Sequence, residues 1–171
     1  MTVLLRVDAG DGIGLGHLSR CLALAAALAE LGSRPVLLVP GREDILQRVC
    51  DRGFEARAFP PAALGTPADL RCTGETAAEV GATAVVVDSY HAGESFLAAL
   101  GAGGVAVVAI DDLAGHAFPC RLVVNGGAAA ESLAYGSSGS SGSSESSGGG
   151  TRFLLGPRYA LLRPEFWAAP Q

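Results

Sequence analysis

The alternation of short, wholly apolar segments with helical segments is the feature of this sequence that most restricts its fold. Residues 3–7, 83–87 and 105–110 have the composition of buried strands, and helices are predicted after the first two, at 17–31 and 94–100. Strands that are apolar on both faces and separated by helices are typical of a parallel sheet covered on both sides. We therefore predict an α/β fold, a doubly wound and mostly parallel sheet of the Rossmann-like kind.

The remaining elements continue this alternation. Further strands are predicted at 35–39, 54–59, 122–124 and 153–155, and further helices at 42–52 and 68–80. The segment 54–59 carries Glu55 and Arg57, which favours the edge of the sheet. Residues 136–150 are a low-complexity Gly/Ser run with no side chain able to pack a core, and we predict a flexible loop without a function there.

Composition excludes several classes of protein. With 49% hydrophobic residues among 171, the chain has enough apolar surface for one folded domain. The net charge is −5, and all twelve basic residues are dispersed arginines, which argues against nucleic acid or an anionic membrane as a partner. No apolar stretch reaches the roughly 18 residues of a membrane span. The four cysteines lack metal-site or disulfide spacing, so we expect no metal and a cytoplasmic location.

Polar residues gather where the predicted strands end. Asp8 follows the predicted strand 3–7, Asp88 and Tyr90 follow 83–87, and Asp111 follows 105–110. Ligands of open parallel sheets bind outside the carboxyl ends of the strands, so this clustering predicts a site there. The alternative is that these residues only terminate strands and cap helices.

The turn after the first strand contains Gly12, Gly14 and Gly16, which allow a sharp turn and a close approach of a ligand to the backbone. Their spacing is not that of a dinucleotide-binding fingerprint, because the position of its third glycine falls on His17 or Ser19. The second strand also ends without an acidic residue for a ribose hydroxyl. We therefore predict that the chain does not bind NAD and uses no cofactor.

His17 stands at the predicted start of the first helix. The positive end of a helix dipole favours the neutral imidazole, which can accept a proton as a general base does. The alternative is a structural histidine that hydrogen-bonds to a neighbouring loop.

Several motifs resemble the SpsG/PseG family, which comprises spore-coat polysaccharide biosynthesis proteins and UDP-sugar hydrolases of pseudaminic acid biosynthesis. They are RVDAG at 6–10 with IGLGHLSRCLALA at 13–25, VDSY at 87–90, IDDL at 110–113, and LLGPRYALLRPEF at 154–166. The motifs occur in the family's order and extend over nearly the whole chain outside the Gly/Ser run.

The resemblance implies the N-terminal half of a two-domain fold of the glycosyltransferase GT-B kind, acting without a metal. His17 is then the catalytic residue that activates water at the anomeric carbon of a UDP-sugar. The other implied contacts with the substrate are Asp8, Gly14, Gly16, Arg20, Asp88, Tyr90 and Asp111.

The resemblance also implies a division of the chain. Residues 1–157 form the Rossmann-like domain, and 158–171 form a tail towards a C-terminal nucleotide-binding domain, supplied in cis or in trans. We expect this chain alone to have an incomplete active site. Two alternatives stay open: a glycosyltransferase with a hydroxyl acceptor on the same scaffold, and a non-catalytic sugar-binding half of a split complex.

Overall fold

The computed structural model describes residues 1–10, 12–135 and 150–166, and in these ranges the chain forms one seven-stranded sheet. All six pairs of neighbouring strands are parallel. The strands are β1 (Thr2–Val7), β2 (Arg34–Pro40), β3 (Glu55–Phe59), β4 (Ala82–Asp88), β5 (Ala106–Ile110), β6 (Leu122–Asn125) and β7 (Arg152–Leu155). The predicted doubly wound α/β fold is thus confirmed, and β3 is an edge strand as its charges indicated.

Four α-helices connect the first five strands: α1 (Gly16–Glu30), α2 (Glu43–Cys50), α3 (Pro67–Glu79) and α4 (Glu94–Ala102). Local sequence explains where several of them begin. Helix α2 has Glu43 and Asp44 in its first turn, where acidic charge complements the helix dipole, and α3 begins with a proline. The predicted boundaries agree with the observed ones to within two residues at either end.

The helices cover the two faces of the sheet in separate layers. Along β1, Val3, Leu5 and Val7 pack in one apolar cluster with residues of α1 and α2. Leu4, which points to the opposite face, packs in the cluster that contains residues of α3 and α4. This alternation explains why the strand is apolar at nearly every position.

The strand order is β3-β2-β1-β4-β5-β6-β7, so the chain changes direction across the sheet between β1 and β4. At such a switch point the loops after two neighbouring strands diverge and leave a crevice at the carboxyl edge. Residues that follow β1 and residues that end β4 therefore meet at one place.

Arg6 is a fully buried cation on the face of the sheet that α3 and α4 cover. Its guanidinium pairs with the carboxylates of Asp8 and Asp69 and lies 4.7 Å from the centre of the Phe59 ring. Asp69 also accepts a hydrogen bond from the Gly65 N–H (2.9 Å). The pair between Arg6 and Asp69 connects β1 to α3. Removing one partner of this cluster would leave a buried charge uncompensated.

The tail after β7 folds back towards α1. Residues Pro157–Tyr159 and Pro164–Phe166 are short 3₁₀ turns, and Leu161 packs against the apolar cluster beneath α1. Leu162 and Phe166 are exposed, by 50% and 65%. The Gly/Ser run lies outside the described residues except for Gly150, and so does Trp167.

No helix in the parts of the chain described here is long and apolar enough to cross a membrane. All four cysteines are free thiols. Within these same ranges, no group of three or more His, Cys, Asp or Glu side chains could hold a metal ion.

Candidate active site at the carboxyl edge of the sheet

The first two turns of α1 present three functional side chains to the end of β4. His17, Arg20 and Cys21 are spaced i, i+3 and i+4, which places them on one face of the helix. All three contact the carboxylate of Asp88, the last residue of β4. The switch point between β1 and β4 thus brings together groups that are about 70 residues apart in sequence.

Asp88 is fully buried and accepts hydrogen bonds on both carboxylate oxygens. Its Oδ1 lies 2.5 Å from the Nδ1 atom of His17 and 2.6 Å from a terminal nitrogen of Arg20. Its Oδ2 accepts from the Nε atom of Arg20 (2.7 Å) and from the Cys21 thiol (3.4 Å). Such a bidentate arginine contact fixes the orientation of the carboxylate.

The contact with Asp88 selects one tautomer of the neutral His17 ring. A carboxylate can only accept, so the network assigns the proton to Nδ1 and leaves the lone pair on Nε2. His17 is 5% exposed, so its orientation is also restricted by packing. A histidine whose Nδ1–H is held by a carboxylate has the arrangement of a general base.

Two further residues close a ring of contacts around this pair. Arg20 donates through its second terminal nitrogen to Oδ2 of Asp112 (2.7 Å), and the Tyr90 hydroxyl donates to the same oxygen (3.0 Å). The Tyr90 ring then meets the His17 ring edge-on, with centroids 4.6 Å apart and planes at 82°. We call His17, Arg20, Asp88, Tyr90 and Asp112 the His17 cluster.

Burial and charge act in opposite directions on Asp88, but in the same direction on its neighbours Cys21 and Tyr90. Burial alone would raise the pKa of Asp88, but the hydrogen bonds and charges of Arg20 and His17 bring it below its ordinary value. Burial, together with the Asp88 charge, raises the pKa of the Cys21 thiol well above its usual range, so this thiol stays protonated. Partial burial and the hydrogen bond to Asp112 raise the pKa of Tyr90. Asp88 therefore remains the buried negative charge of the cluster at neutral pH.

The glycine turn before α1 leaves the backbone next to His17 accessible. Gly14 has a φ of +80° and exchanges backbone hydrogen bonds with Gly10, which closes the turn. A Cβ atom added to Gly14 or Gly16 would meet no atom within 4 Å outside the neighbouring residues of the turn. Leu15 precedes α1 without a side-chain cap, so the first N–H groups of the helix are not satisfied by its N-cap residue.

A cavity of about 190 Å³ adjoins the cluster on the side of β6. Arg20 and Asp112 supply its charged wall, and the backbone of Gly126 and Gly127 follows β6 at the same edge. The tail forms a further wall through Ala160 and Leu161, and it packs closely on this loop: an added Cβ on Gly126 would lie 2.5 Å from the Ala160 Cα atom. The cavity is large enough for several water molecules or a small polar group.

The structure brings four predicted side chains together and separates two others from them. His17, Arg20, Asp88 and Tyr90 form the cluster, with Gly14 and Gly16 beside it. Asp8 instead points to the opposite face and pairs with Arg6, with 1% exposure, so direct contact with a substrate would require that pair to open. Asp111 accepts from the N–H groups of Leu113 and Ala114 and from the Tyr135 hydroxyl, so it shapes its own loop.

Asp112 is the cluster member absent from the predicted site residues. The predicted substrate contact in the IDDL segment is its neighbour Asp111, whereas the structure places Asp112 at the crevice. Alternation along the chain is the signal that separates them, because neighbouring residues at a strand end point to opposite sides.

Comparison with known proteins identifies the fold. No protein-family model matches the sequence, and no curated protein matches it. Among solved structures, the crystal structure of MurG from Acinetobacter baumannii is similar with a TM-score of 0.55 and 17% sequence identity. The similarity covers 72% of this chain and 40% of that one, so this chain spans less than half the length of its structural neighbour. The fold is that of a Rossmann-like half of a GT-B protein, whereas membership of the SpsG/PseG family stays a prediction.

Proposed function

We propose that this chain is the N-terminal half of a nucleotide-sugar-processing enzyme in which His17 is the general base. The observation that carries the proposal is the His17–Asp88 pair, held at the switch point of a GT-B-like half and next to an open glycine turn. The substrate that fits the resemblance is a UDP-linked amino-deoxy sugar used for surface polysaccharide or pseudaminic acid biosynthesis.

In the proposed reaction, Nε2 of neutral His17 takes a proton from a water molecule as its oxygen attacks the anomeric carbon. The bond between that carbon and the UDP oxygen breaks, and UDP leaves with the bonding electrons. Asp88 stabilises the imidazolium that forms, since its carboxylate is 2.5 Å from Nδ1. Arg20 keeps Asp88 ionised and correctly oriented during this step.

The backbone around His17 suits a sugar nucleotide. Gly14 and Gly16 leave open space beside the start of α1, and the N-terminal amides of a helix attract negatively charged groups such as a diphosphate. Tyr90 supplies an exposed aromatic surface on the sugar side. We assign most of the nucleotide pocket to a second domain, which is supplied either in cis or in trans.

Hydrolysis and sugar transfer both need a base near the anomeric carbon, so the His17–Asp88 pair serves either reaction. We favour hydrolysis because the motifs around His17 resemble those of UDP-sugar hydrolases. Transfer to a hydroxyl acceptor is the second candidate. A non-catalytic, sugar-binding half is the third, and it requires His17 to be structural.

The test uses the completed enzyme, meaning this chain together with its second domain in cis or in trans, incubated with UDP-sugars in the absence of any acceptor. Rapid UDP release that His17→Asn abolishes supports hydrolysis. Release only after addition of a hydroxyl acceptor supports a transferase. UDP release that is unchanged in His17→Asn contradicts the catalytic role, and His91→Asn is the matched control because His91 is exposed at the same edge.

A further inference from the structure

We propose that Asp112 is a positioning residue for His17, acting through Tyr90. The inference extends the function proposed above, because the orientation of the imidazole matters only if His17 is the base. It concerns a residue that touches neither the imidazole nor the Nδ1 contact with Asp88.

Two contacts hold the imidazole at the same atom. Asp88 lies 2.5 Å from Nδ1, and a terminal nitrogen of Arg20 approaches Nδ1 at 3.4 Å. The rest of the ring, including Nε2, is held by packing, since His17 is 5% exposed. The Tyr90 ring is one of these packing neighbours, edge-on to the imidazole at 4.6 Å between centroids, and it restricts the plane in which Nε2 lies.

Tyr90 cannot provide this contact by packing alone, since 51% of its surface is exposed. The hydrogen bond that its hydroxyl donates to Asp112 holds the phenol in place. Asp112 is itself fixed by Arg20, which donates to the same carboxylate oxygen at 2.7 Å. A route of three contacts therefore runs from the buried Asp88 through Arg20 and Asp112 to the exposed Tyr90.

Asp112 is placed so that it can be replaced without disturbing the contact between Asp88 and His17. Asp112 follows β5, whereas Asp88 and Tyr90 lie at the end of β4 and in the loop after it. The side chain of Asp112 is 35% exposed, unlike the fully buried Asp88, so it can be replaced without opening the core. Its loss removes the anchor of Tyr90 and leaves the Asp88 contact of His17 in place.

The experiment is nuclear magnetic resonance on this chain without substrate. The sequence has three histidines, so the ring-proton signals of His17 can be assigned from His17→Asn. The neighbouring Tyr90 ring displaces these signals through its ring current, and Tyr90→Leu gives their positions without an aromatic neighbour. The Nδ1 nitrogen signal reports separately on the contact with Asp88.

We expect Asp112→Ala and Tyr90→Phe to lose most of this displacement, while the Nδ1 signal of His17 remains at its wild-type position. Asp112→Asn should retain most of the displacement, because its amide oxygen can accept from Tyr90 and Arg20. Asp51→Ala, which removes a carboxylate at the far end of α2, should change nothing. The proposal is overturned if the displacement survives in both Asp112→Ala and Tyr90→Phe. It is also overturned if the displacement is lost but the Nδ1 signal of His17 leaves its wild-type position at the same time.

A kinetic measurement on the completed enzyme, this chain with its second domain, adds a second test. Asp112→Ala should lower kcat by roughly tenfold with KM nearly unchanged, and Asp112→Asn should restore most of kcat. Unchanged kcat in Asp112→Ala contradicts the positioning role. If the completed enzyme releases no UDP at all, the proposed function fails, whereas the ring-current result still decides whether Asp112 orients His17.

Discussion

At the scale of single residues, the site is organised around a carboxylate rather than around the histidine. Asp88 accepts from His17, from two nitrogens of Arg20 and from Cys21, and all three partners belong to α1. Because every donor to this carboxylate is on one helix, its loss affects the docking of α1 on β4 as well as the orientation of His17. Two predictions separate these roles.

Replacing His17 by asparagine should remove catalysis and leave the fold intact. Asn can still donate one hydrogen bond towards Asp88, but it has no nitrogen that can accept a proton from water. We expect turnover of the completed enzyme, this chain with its second domain, to fall by about 10²–10⁴-fold, the usual contribution of a general base. The measurement is UDP release under saturating substrate, with the melting temperature as the check on folding. Turnover close to that of the wild type would leave His17 with a structural role only.

Replacing Asp88 by asparagine should destabilise the protein at neutral pH by roughly 2–4 kcal/mol, because Arg20 loses its buried partner. The pKa of Asp88 in the folded chain is below its unfolded value, so its contribution is present above about pH 4 and is lost as pH falls through the folded pKa. The difference in unfolding free energy between wild type and variant should therefore shrink in acid.

Asp44→Asn is the matched control for this measurement. Asp44 pairs with Arg42 on the surface, and its hydrogen bond to that arginine lowers its pKa, but the pair is open to solvent. Exposed ion pairs and first-turn carboxylates contribute little to stability, so we expect only a small loss at neutral pH, well below that of Asp88→Asn. Equal losses of unfolding free energy in Asp44→Asn and Asp88→Asn would show that burial is not the reason for the contribution of Asp88 to stability.

At the scale of elements, the sequence predicted nearly everything that depends on local pattern. The seven strands and four helices follow from runs of apolar residues, from helical spacing and from glycines at helix ends, and these signals lie within a few residues of each element. The buried Arg6 was not anticipated, because its partner Asp69 is 63 residues away on α3. Asp8 was assigned to the substrate for the same reason: its pairing with Arg6 depends on which face of β1 is covered by α3.

The contact between Gly126, directly after β6, and the tail joins residues that are far apart in sequence, and it can be tested. Gly126 lies so close to Ala160 that a methyl group there must displace the tail backbone. We expect Gly126→Ala to lower stability by about 1–3 kcal/mol, the usual effect of overpacking, and to shift the amide signals of Ala160 and Leu161. Gly115→Ala is the control, because the space beside Gly115 is open. Unchanged tail signals in Gly126→Ala would mean that the tail does not depend on this approach.

At the scale of the whole molecule, the open question is what faces the carboxyl edge and the tail. The similarity covers 40% of the structural neighbour, so more than half of that protein lies outside the match. The tail adjoins a groove of about 290 Å³ lined by Ala23, Leu24, Ala27 and residues 160–162. Together with the exposed Leu162 and Phe166, this apolar surface is suited to a seam with a second domain.

The last prediction concerns that seam. This chain alone should bind UDP-sugars weakly and release negligible UDP, and a matching second domain supplied in trans should restore turnover. Phe166→Glu should leave the melting temperature of this chain unchanged, since Phe166 is 65% exposed, but should prevent the restoration by placing a charge in the seam. Ala99→Glu is the control, because Ala99 is exposed on α4, which covers the opposite face of the sheet from α1. Robust UDP release by this chain alone would require a complete site within these residues, and restoration that is equally strong in Phe166→Glu would move the seam away from the tail.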